Sequence, residues 1–162
     1  MLPWMQTATA LLGTKEIPGN ADNKSIVEWA ELIGGDVWKQ YKHDSTPWCG
    51  LFVAHCLTEN GIEPSDAPLW ALSWSTWQAA TTPRYGAVLS FKRPEGGHVG
   101  FYVSEDSESY HVLGGNQSDM VNVARVPKVR FVAARAPADY LHLMDSKRIV
   151  TAFAGSLSTN EA

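Results

Sequence analysis

A chain of 162 residues, 44% hydrophobic and 19% charged, is long enough to bury one core and ordinary enough in composition to be globular. Its formal net charge of −4, with the lysines and arginines scattered, excludes the basic footprint of a nucleic-acid binder and gives no patch for an anionic membrane. No apolar run approaches the roughly 20 residues of a membrane-spanning helix. Met1-Leu2-Pro3-Trp4 lacks the charged and apolar regions of a signal peptide, so synthesis in the cytoplasm without one is the expectation.

In chain order, Pro3 and Gly13 bracket a predicted helix over 4–12, with Trp4, Ala8, Leu11 and Leu12 on its apolar face. Residues 16–23 are dense in turn formers. Asn20 and Asp22 there do not match the spaced carboxylates of a calcium loop and read as a solvated turn. Asn23 is placed to cap a helix over 24–33, closed by Gly34-Gly35. In Asp44-Ser45-Thr46-Pro47-Trp48-Cys49-Gly50, Thr46 reads as an N-cap and Pro47 as the first helical residue, which puts Cys49 in the first turn. That helix is apolar on most faces through Leu57 and stops near Asn60-Gly61, so it is expected to be the central buried helix. Another helix is predicted over 69–79. Its Trp70, Trp74 and Trp77 share one face and read as packing, with one ring lining a groove.

From Pro83 onward the period changes to strands, at 86–91, 98–103, 110–113, 121–123 and 129–133. Helices followed by about five antiparallel strands make an α+β fold. The division expected is a catalytic domain over 1–138 and an extension over 139–162, a docked helix or tail.

Cys49 is the candidate nucleophile, because the positive end of a helix favours thiolate. Taken alone, a cysteine is more often a small buried hydrophobe. Cys56 lies seven residues further on, about 10 Å along a helix, too far for a disulfide. The protein is therefore expected to work with free thiols. Among the histidines, His43 and His55 are near Cys49 only in sequence, His111 lies on a strand and His142 in the tail. His98 opens a strand after Gly96-Gly97 and is the best candidate base. Neither CxxC nor HExxH occurs, so no metal and no cofactor is expected.

Three stretches, Asp44-Ser45-Thr46-Pro47-Trp48-Cys49, Gly97-His98-Val99-Gly100-Phe101-Tyr102 and Leu113-Gly114-Gly115-Asn116-Gln117, occur in an order that resembles the CHAP amidohydrolase/peptidases, relatives of NlpC-type cell-wall peptidases. The likeness is closest to a compact branch frequent among phage lysins and runs over residues 4–136. It implies a papain-like fold, a peptidoglycan substrate without nucleic-acid or membrane partners, a monomer, and action on the wall after release. By motif position it makes Cys49 the nucleophile, His98 the base and Asn116 the group that orients the imidazole. A hairpin pairing Val103 with Tyr110 would set His98 opposite Gly115 and bring Asn116 to its ring. A cysteine transpeptidase or acyltransferase and an inactive wall-binding module of this fold are the alternatives.

Overall fold

Pro3 opens helix α1 (Pro3–Ala10), where its missing N–H costs nothing. Asn23 caps α2 (Lys24–Ile33), its side chain accepting from the Ser25 N–H at 2.9 Å. A short helix, α3 (Gly35–Gln40), follows directly, where the sequence marked only a stop. A computed structural model of the chain describes residues 1–17, 22–40, 47–153 and 156–158. The readings of Asn20, His43 and the Thr46 cap fall outside the described residues.

The central helix α4 spans Cys49–Thr58 and therefore starts two residues later than expected. Pro47 precedes it, and Trp48 stands at its cap position without a side-chain cap bond. The reason is the Trp48 indole, which is fully buried and donates to Glu16 Oε2 at 3.2 Å, fixing the chain before the helix turns. α4 is buried through Leu57. Phe52 meets Phe101 on the sheet side at 6.1 Å and Trp29 of α2 at 6.0 Å. Trp29 also stacks on His55 at 4.9 Å, and burial lowers the pKa of that imidazole. His55 is thus a packed core group.

Six antiparallel strands form one sheet: β1 (Ala79–Ala80), β2 (Val88–Arg93), β3 (Gly96–Glu105), β4 (Ser109–Gln117), β5 (Met120–Pro127) and β6 (Phe131–Ala136), in the order β1-β6-β2-β3-β4-β5. The architecture is α+β and papain-like, with one strand more than expected. That strand, β1, lies at the end of the stretch read as a helix over 69–79. The rest of the stretch is a 3-10 helix, Ala71–Thr76. Side chains there bond carbonyls both inside the stretch and ahead of it. Ser75 bonds Leu72 O, and the Trp74 and Trp77 indoles donate back to Pro68 O and Glu63 O. With three residues per turn, Trp74 and Trp77 stay on one side, 5.3 Å apart, while Trp70 diverges and is 62% exposed.

Both chain ends finish the sheet. Gly13 and Thr14 exchange backbone hydrogen bonds with Val121, covering the β5 edge. At Glu105, beyond the reach of β2, residues 149–151 pair with β3 through Ile149 O and Thr151 N. A 3-10 helix, Ala138–Leu143, sets Tyr140 edge-on against Trp4 at 5.2 Å. Among the described residues no helix is long and apolar enough to cross a membrane.

The β3–β4 hairpin is held by a polar cluster. Asp106 accepts from Arg125 at 2.9 Å and lies 2.8 Å from His111 Nε2, and His111 Nδ1 sits 2.6 Å from Ser104 Oγ. The Arg125 guanidinium, and after it His111, hold the Asp106 carboxyl well below the usual carboxylate range. A carboxyl with a depressed folded-state pKa stabilises the fold above its unfolded value, about 3.9, and that contribution is lost as the pH falls through the folded value. Asp106→Asn is therefore expected to lower the melting temperature at pH 7, with the gap to the parent protein narrowing as the pH drops below about 4. Thermal denaturation at a series of pH values checks this, and a gap that is constant with pH contradicts it.

Candidate active site

Cys49 is the first residue of α4 and only 4% exposed. Its sulfur meets β3 at the backbone N–H of Val99, the residue after His98. The amides of Gly50 and of Cys49 itself also favour its thiolate, as does the positive charge of Arg93 at the end of β2. Burial outweighs all of these and pushes the Cys49 thiol up from its ordinary value. This corrects the expectation of a depressed pKa. The field at a helix N-terminus is present, but removal of water from the sulfur is the larger effect. Cys56, deeper in the same helix, is pushed up further by burial, and both cysteines are free thiols.

Gly50 is required by packing. A Cβ there would lie 1.9 Å from the Pro68 carbonyl oxygen, backbone against backbone. The buried Trp74 indole holds that carbonyl at 3.1 Å. The segment after Pro68 then runs to β3, where the Leu72 side chain fills the space over Gly97. One short stretch thus touches the residue after Cys49 and the residue before His98.

His98 is fully buried and stacks on its cross-strand partner Phe91, ring centroids 6.3 Å apart. Its Nε2 lies 2.9 Å from Gln117 Oε1. The ring position expected of Asn116 is therefore held by the next residue. The cause is register. Glu105, rather than Val103, faces Tyr110, and an irregularity between Tyr102 and Ser104 leaves Phe101 opposite Leu113. Beyond that, β4 bulges between Gly114 and Gln117, with Asn116 in the left-handed region at φ 57°. A two-residue turn at Ser118 (φ 52°) and Asp119 (φ 61°) then sends the chain into β5.

The Gln117 amide is oriented by its surroundings. Its nitrogen donates toward Val112 O at 3.1 Å and toward Asn122 O and Oδ1, each at 2.8 Å. All are acceptors, so the NH2 group belongs on that side and Oε1 faces the imidazole. Oε1 can only accept, hence His98 Nε2 carries the hydrogen and Nδ1 of the neutral ring carries the lone pair. Gly114 makes room for this: a Cβ there would sit 2.7 Å from Gln117 Oε1 and 3.4 Å from His98 Nε2. In the sequence Gln117 stands only as the last residue of the third motif, and no local signal there points to Arg93 or the Val99 amide. Gln117 Nε2 is committed to Val112 and Asn122, which removes it as a donor to substrate. Among the described residues no group of three or more His, Cys, Asp or Glu side chains is arranged to hold a metal ion.

Residues 40–116, a little under half of the chain, match the family model of the CHAP domain. Gln117 is the first residue beyond the matched segment. No curated protein and no solved structure matches the chain.

Gly50→Ala is expected to destabilise the fold by about 1–3 kcal/mol, because neither the helix start nor the Pro68 carbonyl can yield without moving the other. Denaturant unfolding measures this. Unchanged stability would mean that the contact relaxes freely.

Proposed function

With a CHAP domain in the chain, a family of cysteine- and histidine-dependent amidohydrolases and peptidases, we propose that the protein hydrolyses an amide bond in the peptide of peptidoglycan and lyses bacterial cells as an endolysin does. Cys49 is the nucleophile, His98 the base, and Gln117, in place of Asn116, the positioning residue. The observation that carries this reading is the polarity of the His98–Gln117 pair. It leaves the Nδ1 lone pair to take a proton, on the residue before the Val99 amide that the Cys49 sulfur meets.

The Cys49 proton passes to His98 Nδ1 as the sulfur attacks the amide carbonyl carbon. The Cys49 backbone N–H, at the helix start, stabilises the developing oxyanion. The C–N bond breaks, and the leaving amine takes the proton back from His98. Water then adds to the thioester, giving its proton to the same imidazole. The C–S bond breaks, releasing the carboxylic acid and regenerating the thiol. Burial raises the Cys49 thiol pKa above its ordinary value, so His98 is needed to take the proton as the sulfur attacks.

Cys49→Ala is expected to abolish release of peptide fragments from purified cell walls, and Cys56→Ala to retain most of it. Mass spectrometry identifies the bond cut, and a free amine without a new cross-link separates hydrolysis from acyl transfer. Folded Cys49→Ala protein that still cuts walls defeats the nucleophile assignment.

The pH dependence of thiol alkylation tests the base. In His98→Ala, Cys49 should react with a midpoint above the roughly 8.5 of an ordinary thiol. With His98 present the midpoint should fall, since the ring accepts the proton. Identical profiles contradict a Cys49–His98 couple.

Gln117→Leu is expected to lower kcat on the order of 10²-fold by releasing the imidazole from its tautomer. Gln117→Glu keeps an acceptor toward Nε2 but sets its other oxygen against the Val112 and Asn122 acceptors, so it should recover little of that loss. Equal activity of Gln117→Leu and the parent protein returns the orienting role to another group.

A further inference from the structure

Cys49 and His98 come from separate elements, the thiol from the start of α4 and the imidazole from β3, with its orientation set from β4. α4 begins at Cys49 with no side-chain cap bond from Trp48, so its start is placed by contacts outside the helix. Trp48 supplies two of them. The six-membered ring of its indole lies against Gly115 in the β4 bulge, so closely that a Cβ on Gly115 would be 2.8 Å from two of its carbons. Its N–H donates to Glu16 Oε2 at 3.2 Å. Trp48 is fully buried, and a buried N–H without an acceptor is costly, so the carboxylate decides which way the indole is turned.

Glu16 is itself held by the sheet. Its backbone N–H donates to Asp119 O at 2.9 Å, and Lys15 forms a bridge to Met120, the first residue of β5. Asp119 belongs to the turn that directly follows Gln117. One turn is therefore connected to both halves of the candidate site. On one side Gln117 runs from it to the His98 ring, and on the other Glu16 and Trp48 run from it to Cys49.

We propose that Glu16 is a positioning residue: through Trp48 it registers Cys49 to the same β4–β5 turn from which Gln117 orients His98. This rests on the assignment of Cys49, His98 and Gln117 above. Without the carboxylate, the indole N–H turns toward another acceptor and the start of α4 shifts with it. A displacement of about 1 Å between reacting groups costs on the order of 10²-fold in rate.

Three variants test this. Glu16→Leu removes the acceptor, Glu16→Gln keeps one without the charge, and Trp48→Phe keeps a ring beside Gly115 without the N–H. All are compared with the parent protein and His98→Ala at a temperature where circular dichroism shows them folded. Glu16→Leu is expected to lower kcat on wall peptide by about ten- to hundredfold with KM unchanged, and to raise the pH midpoint of Cys49 alkylation toward that of His98→Ala. The sign separates positioning from charge, because removing a carboxylate near a thiol would by itself favour thiolate and lower the midpoint. Glu16→Gln should retain most of the parent's kcat and its midpoint. Trp48→Phe should reproduce Glu16→Leu, and the two combined should cost no more than either alone. If Glu16→Leu does not fold, Trp48→Phe decides: a raised midpoint supports the role and a parental one overturns it. Parental midpoints in Glu16→Leu and Trp48→Phe, beside a shifted His98→Ala, overturn the positioning role and leave the hydrolase reading intact. Additive losses in the double variant overturn it too, since Glu16 would then act other than through the indole. Identical profiles for His98→Ala and the parent defeat the Cys49–His98 couple, and this role with it.

Discussion

The side-chain amide of Gln117 has a single admissible orientation, and the candidate site depends on it. Val112 and Asn122 present only acceptors to its nitrogen, so its oxygen must face His98. From that one orientation follow the proton on Nε2, the lone pair on Nδ1 and the plane of the ring against Phe91. Those partners sit on backbone and side chain of β4 and β5, beside the bulge between Gly114 and Gln117. The orientation of the imidazole is thereby tied to the stability of a hairpin rather than to a mobile loop.

Enclosure sets the electrostatic character of the thiol. A cysteine at a helix start in contact with water would be drawn toward thiolate. Here α4 is packed between the sheet and α2, the Pro68 carbonyl closes on Gly50, and the sulfur is nearly dry. Desolvation then outweighs dipole, nearby amides and Arg93 together. A neutral thiol resists oxidation and adventitious alkylation while it waits. On the proposed mechanism such a thiol depends on the imidazole to take its proton.

Much of this architecture was legible because it rests on local signals. The Asn23 cap, the Pro3 start, the uniformly apolar α4 and the shift from helical to strand periodicity each leave a mark in consecutive residues. The failures occurred where long-range packing decided. The tryptophans at 70, 74 and 77 have α-helical spacing, yet indole bonds to Pro68 and Glu63 draw the segment into a 3-10 turn. The start of α4 moved because the buried Trp48 indole fixes the chain ahead of Cys49. The site itself slipped by one residue. Its turn, Ser118-Asp119, has left-handed backbone at both positions without the Asn-Gly that advertises such turns. The bulge between Gly114 and Gln117 has no signature that separates it from a continuous strand. In a sheet, one residue of error exchanges the two faces, and so Gln117 stands where Asn116 was expected.

Gly114 carries a consequence for how such a site can diverge. The volume beside His98 Nε2 is a single seat, occupied by a side chain that reaches back from position 117. A side chain rooted at 114 would start 3.4 Å from the same nitrogen and collide with the present occupant. A methyl group at 114 overfills that seat, and a small residue at 117 empties it. Changes at 114 and 117 therefore act on one space, and their costs are strongly non-additive.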